Sequence, residues 1–403
     1  MDLRIRTIGP DEFEAYGRTL ETAFGSHLRP GDLERERTVA ELDRCLAAFD
    51  GDEMVGGASA VSFTMTVPGG EVRTAGITGV GVKPTHRRLG INSALMRRQL
   101  DDVHAGSEPV AALYASEGSI YGRFGYALAT YRGVIDVERE RTAFVRGYHP
   151  SGRVRLLERN LALERFLPIH DHVRRERPGM MAMDPTWFAY RFDERHHGDE
   201  RPRFYAAHQT GEAIDGFAVY HVKHEWQEER RNELAVDELV ALTPQAYADL
   251  WRYVFDVDLM DRFTAWNRPF DEPLLHLLRE PDRLRFRLGD GLWVRLVDVP
   301  AALEARRYAA PGRVVIEVAD PFCPWNEGRY ELEGGPDGAS CRPTQGGPDL
   351  ALTVNELGAC YLGGMGFRQL ARAGRVEELR PGALARADAM FAWDPAPWCS
   401  FVF

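Results

Sequence analysis

The chain has 403 residues, of which 44% are hydrophobic, and it carries a formal net charge of −11. This length can hold about two to four domains with real cores, and the acidic balance argues against nucleic acid as a partner and for a cationic small molecule. The sequence has no run of about 18 apolar residues, no apolar signal core and no CxxC pair among its five cysteines, which predicts a cytoplasmic protein with free thiols and no membrane partner.

The first 140 residues predict a mixed sheet with helices on its faces. Two strand-rich segments, 54–67 and 71–82, flank Pro68-Gly69-Gly70, and this turn signal indicates a hairpin. The other predicted elements are a strand over 3–7, a helix beginning at Asp11, a helix over 91–104 and a strand over 109–115.

The segment 77–100 combines a strand, a basic turn and the start of a helix. Arg87 and Arg88 lead to Gly90, and a helix-forming run begins at Ile91. Such a turn directs several backbone N–H groups and the positive end of the helix dipole to one point, which suits a phosphate or pyrophosphate. Gly90 allows close approach of the backbone to the anion. The alternative is an ordinary solvated turn.

The segment 110–126 predicts a buried strand ending near Ser116, followed by a turn that carries Tyr121. A phenol with a pKa near 10 is protonated at neutral pH, so Tyr121 can serve as a proton donor. Packing of the ring with its hydroxyl tied down is the alternative, and we assign the neighbouring Tyr126 to the core.

The spacing Arg87-x-x-Gly90-x-Asn92 resembles the coenzyme A signature of GNAT acyltransferases, in which Gly or Ala usually stands at the position of Asn92. Asparagine tolerates an unusual backbone angle better than most residues. Tyr121 precedes a Gly-aromatic pair by the interval common in these enzymes, and the resemblance implies that it protonates the departing coenzyme A thiolate.

Over the whole chain the sequence is similar to the Eis family of N-acetyltransferases. The similarity is carried by VKPTHRRLG (82–90), ASEGSIYGRFGY (115–126) and the aromatic carboxy-terminus 398–403. It implies an acetyl-CoA-dependent enzyme, a hexamer as in mycobacterial members, and acetylation of several amines of one aminoglycoside. It also implies the residues that contact acetyl-CoA, which are Val80, Gly81, Val82, Arg87, Arg88, Gly90, Ile91, Asn92 and Ser116.

A base must also take a proton from the acceptor amine. No acid within 71–90 is an obvious candidate, since Glu71 sits beside a turn. The family resemblance implies that the C-terminal α-carboxylate does this, and here that group belongs to Phe403. An aromatic tail predicts burial, and desolvation raises the pKa of a buried carboxylate. A tail that only packs is the alternative.

Aminoglycoside-acetylating members of the family line their cleft with acids and aromatic residues. At two of the acidic positions this chain has Ser26 and Val402, and both departures remove negative charge. Asp290 and Asp298 are candidate compensating acids, although a structural role remains open for each. The candidate substrate-binding residues are Phe24, Ser26, Trp187, Asp290 and Asp298.

The region 150–288 repeats the strand-turn-helix order around Thr243-Pro244, but this turn has no Arg pair and no Gly, so we expect no cofactor there. The tract 193–197 (DERHH) resembles a metal-binding tract, yet we predict no metal. The predicted fold is α/β (α+β), with two GNAT-like mixed-sheet domains followed by a sterol-carrier-like α+β domain. The predicted boundaries are 1–145, 146–288 and 289–403, the first domain being the catalytic one.

The sequence therefore predicts an acetyl-CoA-dependent N-acetyltransferase that modifies amines of a cationic small molecule of the aminoglycoside type. One alternative is an acetyltransferase for another amine, such as a lysine side chain or a polyamine. The other is a non-catalytic coenzyme A sensor or a lipid-binding scaffold.

Overall fold

The computed structural model describes residues 2–193, 201–225 and 231–403. The chain forms two compact units. The first contains the residues up to Thr130 together with Leu292–Asp394 and Val402–Phe403, and the second contains the described part of Tyr131–Gly291 together with Pro395–Phe401. No helix of the described residues is long and apolar enough to cross a membrane.

The secondary structure follows the predicted order closely. The strands are β1 (Leu3–Thr7), β2 (Cys45–Asp50), β3 (Glu53–Val67), β4 (Gly70–Val82), β5 (Val110–Tyr114), β6 (Ala127–Leu128), β7 (Tyr131–Glu138), β8 (Arg153–Leu157), β9 (Arg203–Thr210), β10 (Ala213–Glu225), β11 (Arg231–Ala241), β12 (Arg262–Pro269), β13 (Arg287–Asp290), β14 (Leu292–Leu296), β15 (Gly312–Ala319), β16 (Gly328–Gly335), β17 (Gly338–Pro343), β18 (Leu350–Thr353) and β19 (Glu377–Glu378). The α-helices are α1 (Phe13–Phe24), α2 (Asp32–Arg37), α3 (Ile91–Ala105), α4 (Gly118–Tyr121), α5 (Arg159–Arg174), α6 (Pro185–Arg191), α7 (Pro244–Asp256), α8 (Leu274–Leu277), α9 (Val299–Glu304), α10 (Val354–Cys360), α11 (Phe367–Arg372) and α12 (Ala383–Phe391).

The first unit is built on a seven-stranded sheet in the order β1-β2-β3-β4-β5-β14-β6. The predicted hairpin is confirmed, because β3 and β4 pair antiparallel from Val67↔Gly70 to Gly56↔Val82. The strand β5 then pairs parallel to β4, and the α3 helix makes the crossover between them. The sheet thus places the end of β4 and the start of α3 at the same edge.

The two large sheets exchange one strand each. In the second unit the order is β13-β7-β12-β11-β10-β9-β8, so β7 lies in the second sheet between β12 and β13, and β14 lies in the first sheet between β5 and β6. The sequence division at 145 and 289 assigned β7 to the first domain and β14 to the third. The sheets differ from that division because strand pairing between distant segments leaves no signal in the local sequence pattern.

The second unit repeats the strand-turn-helix arrangement, as the sequence predicted. The strand β11 leads through a short turn into α7, and β12 returns parallel to β11. Its core is formed by apolar side chains of the sheet and of α7, with the fully buried Trp251 at its centre.

A smaller sheet in the order β17-β16-β15-β18-β19 forms the carboxy-terminal part of the first unit. A buried ion pair joins it to the large sheet of that unit: Arg295 on β14 donates to Asp320, which follows β15, over 2.8 Å, and both side chains are almost completely buried. Helices α9 to α12 pack around this small sheet, giving the α+β module that the sequence indicated.

Candidate active site

The strands β4 and β5 separate partway along their length. Their parallel pairing begins at Thr74↔Val110 and ends at Gly76↔Ala112. Beyond Gly76 the side of β4 that faces β5 pairs with no strand among the described residues, and from Thr78 onward its residues become partly exposed. Backbone groups along such an edge can pair with an extended ligand. The exposed end of β4 contains three of the residues assigned to the cofactor, Val80, Gly81 and Val82.

The turn after β4 has a backbone that suits an anion. Arg88 and Gly90 both have positive φ angles, +64° and +83°. Among the described residues no side chain caps the first turn of α3, which starts at Ile91, so its N–H groups point to the turn. Backbone at positive φ beside an uncapped helix start is typical of anion-binding sites. The buried Oδ1 of Asn92 has no hydrogen-bond partner in the described part of the chain, and as an acceptor it would pair with a donor group rather than with the anion.

The side chain of Arg87 binds two carbonyl groups of the protein. Its Nη2 donates to the carbonyl of Ala23 over 2.6 Å, and its Nε to the carbonyl of Val82 over 3.4 Å. The guanidinium thus neutralises the negative end of the α1 dipole and ties that helix end to the end of β4. Arg88 and Leu89, which follow in the same turn, are exposed.

Phe24 and Ser26 lie beside the same strand end. Phe24 is the last residue of α1, and its ring is 54% exposed. A Cβ at Gly81 would lie 3.6 Å from Phe24 Cε2, so the ring flanks the exposed end of β4. Ser26 follows two residues later and is exposed.

Tyr121 ends α4 and is buried. Burial raises the pKa of its phenol, and a hydrogen bond with Ser116 partly opposes this shift. The ring packs edge-on against Tyr126, with centroids 6.2 Å apart. Asn355 holds the turn that follows, since its Nδ2 donates to the carbonyls of Gly122 and Tyr126 over 2.8 and 2.9 Å. Tyr121 is therefore a protonated group in a fixed position.

The ring of Phe403 packs at the point where β4 and β5 separate. Its ring centroid lies 5.0 Å from that of Phe63 and 5.9 Å from that of Tyr114. A Cβ at Gly76 would lie 2.5 Å from Phe63 Cε2 and 3.0 Å from Phe403 Cε2. Glycine at this position is required for the terminal residue to sit there.

Tyr121 and Phe403 lie on opposite faces of the sheet. Tyr121 shares a buried cluster with Ile77 and Leu113, whereas Phe403 contacts Gly76 and Tyr114. Because successive side chains of a strand point to opposite faces, the two groups approach the gap between β4 and β5 from its two sides.

The remaining candidate substrate residues have structural contacts of their own. Asp298 Oδ1 accepts a hydrogen bond from the Ala301 N–H over 3.0 Å and caps α9, which favours the structural alternative for this residue. Trp187 and Asp290 belong to the second unit. Trp187 packs against Tyr190 on α6, and Asp290 is exposed at the end of β13. Of the DERHH tract, residues 194–197 lie outside the described residues.

The equivalent turn in the second unit is organised differently. Thr243 Oγ1 accepts a hydrogen bond from the Ala246 N–H over 3.1 Å, and Pro244 occupies the first helical position. The helix start is therefore capped by the chain itself, and proline removes one N–H donor. The uncapped helix start and glycine turn found before α3 are not repeated before α7.

Sequence reasoning missed several residues that build the site. Phe63, Tyr114 and Asn355 carry no local signal, because their contacts are made over long sequence separations. Gly76 did carry one, since glycine inside a strand often marks close approach of another group.

Comparison with known proteins agrees with this arrangement. Residues 4–129 and 179–296 match acetyltransferase (GNAT) domain families, and residues 299–400 match the sterol carrier protein domain family. An uncharacterized N-acetyltransferase of Streptomyces avermitilis is 44% identical over 99% of both chains. The N-acetyltransferase Eis of Mycobacterium tuberculosis is 34% identical over 94% of both chains.

Solved structures show the same fold. The crystal structure of Eis1 from Mycobacterium abscessus superposes with a TM-score of 0.87 at 35% identity and covers 99% of this chain and 100% of that one. A GCN5-related N-acetyltransferase from Anabaena variabilis superposes equally well, at 20% identity over 100% of both chains. With its two GNAT domains, its sterol-carrier-like module and these full-length relatives, the chain is an N-acetyltransferase that belongs to the Eis family.

Proposed function

We propose that the protein is an acetyl-CoA-dependent N-acetyltransferase for a cationic small molecule with several amines, of the aminoglycoside type. The observation that carries the proposal is the packing of the Phe403 ring beside Gly76 and Tyr114, where the pairing of β4 with β5 ends, with the buried phenol of Tyr121 in the apolar cluster on the other face of the same strands. The exposed edge of β4 and the turn at Arg88 and Gly90 fit the cofactor, because one offers unpaired backbone groups and the other an anion-binding helix start.

Bound acetyl-CoA supplies an acetyl group that is activated as a thioester. The residues of the chain then divide the proton transfers between them. The carboxylate of Phe403 takes a proton from the acceptor amine, so that the nitrogen has a lone pair with which to form the amide bond. Tyr121 holds the proton that a thiolate leaving group requires, and burial keeps this proton in place by raising the pKa of the phenol.

The choice of a cationic acceptor is supported by charge. The net charge of the chain is −11, which favours association with cations. Phe24 offers an exposed aromatic face beside the β4 end, and such faces bind cations. Ser26 and Val402 reduce the local negative charge, so we expect weaker aminoglycoside binding than an acid at either position would provide.

The reaction is tested by measuring thiol release from acetyl-CoA in the presence of aminoglycosides, polyamines and lysine peptides. We expect turnover with an aminoglycoside and multiple acetylation by mass spectrometry. Turnover with only a polyamine or a lysine peptide would move the proposal to that amine. Binding of coenzyme A without any turnover would contradict it and support a sensor.

The terminal base is tested by extending the chain. Adding two glycines after Phe403 moves the carboxylate while keeping every side chain, so kcat should fall by about 10²-fold or more, with the Kd for acetyl-CoA unchanged. Adding the same two residues before Asp2 is the matched control. Full activity of the extended carboxy-terminus would overturn the base role.

A further inference from the structure

The second sheet opens in the same way as the first. The parallel pairs of β11 and β12 end at Val236↔Ala265, although both strands continue. A bulge at Asp237 interrupts the pairing of β11 with β10 at this point, since Val219 pairs with Glu238 and Tyr220 with Val236. Bulges redirect the side chains that follow them. The second unit thus has a gap at the place where the first offers its cofactor cleft.

The chain's own carboxy-terminal segment contacts the residues at this gap. Asn267 on β12 donates through Nδ2 to the carbonyl of Cys399 over 3.0 Å, and its Oδ1 accepts from Trp398 Nε1 over 3.0 Å. Arg268 Nη1 donates to the carbonyl of Leu239 on β11 over 2.9 Å, and its guanidinium lies 5.6 Å from the Trp398 ring. The side chains of β12 therefore bind both the tail and the neighbouring strand.

Arg191, at the end of α6, links the tail to a buried acid. Its Nη2 donates to the carbonyl of Ser400 over 2.6 Å and its Nη1 to Ser400 Oγ over 3.2 Å. The same Nη1 lies 2.6 Å from Oε2 of Glu238, whose side chain is fully buried on β11. Burial raises the pKa of Glu238, and the charge of Arg191 opposes this shift. The guanidinium is thus held by Glu238 through Nη1 and contacts Ser400 through both Nη1 and Nη2.

Further contacts fix the beginning of the segment. Arg177 Nη1 donates to the carbonyl of Ala396 over 2.7 Å, and the Ala396 N–H donates to Asp271 Oδ2 over 3.1 Å. The Trp398 N–H donates to the carbonyl of Pro178 over 2.8 Å. The tail is consequently held at four of the five residues from 396 to 400, and only Phe401 and Val402 separate this anchored stretch from the terminal residue.

We propose that the gap between β11 and β12 is a binding cleft for the carboxy-terminal segment, and that Arg191 and Asn267 are positioning residues for the Phe403 carboxylate. The cleft that a catalytic GNAT domain offers to its cofactor serves here to hold the chain terminus. The catalytic part of this inference rests on the proposed function. Misplacing a reacting group by about 1 Å costs about 10²-fold in rate. Weaker binding of the carboxy-terminal segment by Arg191 and Asn267 should therefore lower kcat.

The test uses the full-length variants Asn267→Ala and Arg191→Lys. The first removes two hydrogen bonds to the tail and leaves no buried charge unpaired; the second keeps a cation beside Glu238 but loses the forked contact with Ser400. Arg262→Lys is the matched control, because Arg262 lies on the same strand and forms its bidentate pair with Asp136. All variants are first checked for native unfolding temperature.

We expect kcat to fall about 10- to 100-fold in both test variants, with the KM for acetyl-CoA unchanged, and to stay unchanged in the control. Release of Phe403 by carboxypeptidase and amide exchange over 396–401 should each become about tenfold faster. Folded test variants with wild-type kcat would refute the positioning roles. Unchanged carboxypeptidase release and exchange would refute the tail-binding cleft.

The two proposals fail separately. If the wild-type protein transfers no acetyl group, the proposed function fails, and protection of the tail still decides whether the cleft exists. If the variant extended after Phe403 is fully active while Asn267→Ala is not, the Phe403 carboxylate is not the base. The cleft then affects kcat in another way than by positioning that carboxylate.

Discussion

Replacing Gly76 by alanine adds one methyl group at the site where the Phe403 ring packs. The new Cβ would lie 2.5 Å from Phe63 Cε2 and 3.0 Å from Phe403 Cε2, whereas ordinary contacts begin at 3.4 Å. The Phe63 ring must therefore move by about 0.9 Å and the Phe403 ring by about 0.4 Å. Because these two rings contact each other, the displacement of the first is passed to the second.

Overpacking of this kind costs about 1–3 kcal/mol, and we expect the unfolding temperature to fall by about 2–4 °C for each kcal/mol. The larger effect should be on the rate. Misplacing a reacting group by about 1 Å costs about 10²-fold in rate, so the smaller shift of the terminal ring should lower kcat by about 3- to 10-fold. The KM for acetyl-CoA should change little, because the turn at Arg88 and Gly90 follows the end of β4, whereas Gly76 lies in its middle.

The assay is thiol release at saturating amine, together with thermal unfolding of the same samples. Gly122→Ala is the control, since a Cβ there meets nothing within 4 Å and its backbone is already helical. Shortening Phe63 to leucine in the Gly76→Ala background should recover part of the stability and part of kcat. A destabilised Gly76→Ala protein with a kcat within twofold of wild type would refute the idea that the packing of Phe403 at Gly76 determines kcat.

Three further substitutions test the parts of the site separately. Tyr121→Phe should lower kcat about 10²- to 10⁴-fold with an unchanged Kd for acetyl-CoA. Burial raises the pKa of Tyr121 above its usual 10.0, so the phenol keeps its proton as the pH rises. In the wild-type protein its contribution to kcat should therefore be lost only above pH 10. Gly90→Ala places a Cβ at φ +83°, which costs about 1–2 kcal/mol, so calorimetry should show a Kd for acetyl-CoA about 5- to 30-fold higher with kcat retained. Thr243→Ala removes the cap of α7, and denaturant titration should show about 1 kcal/mol less free energy of unfolding with kinetics unchanged.

Each of these substitutions has a result that would count against its reasoning. A flat profile above pH 10 that is the same for wild type and Tyr121→Phe would exclude the phenol as the proton donor. An unaltered Kd in Gly90→Ala would show that the turn does not receive the cofactor. A loss of acetyl-CoA binding in Thr243→Ala would contradict the assignment of the second turn as a capped helix start.

Where the structure depends on local backbone chemistry, the sequence alone was sufficient to predict it. The turn at Arg88 and Gly90 is visible because glycine and the strand-to-helix order are local features, and the helix after it begins at Ile91 as expected. The absence of this turn chemistry at Thr243-Pro244 is equally local, since the residues that cap α7 are adjacent in the chain. The local patterns also predicted several strands and helices, among them β1, β3, β4, β5 and α3.

Tertiary structure alone decided which distant segments meet. Three features join residues that are separated by long stretches of chain. They are the placement of β7 and β14 in the two large sheets, the packing of Phe403 against Gly76, and the hydrogen bond from Asn267 to Cys399. Such pairings depend on packing and on unpaired backbone edges, which no residue pattern encodes by itself. Arg87 shows the same limit within a recognised motif: the sequence determined that an arginine stands at this turn, and the fold decided that it binds the end of α1.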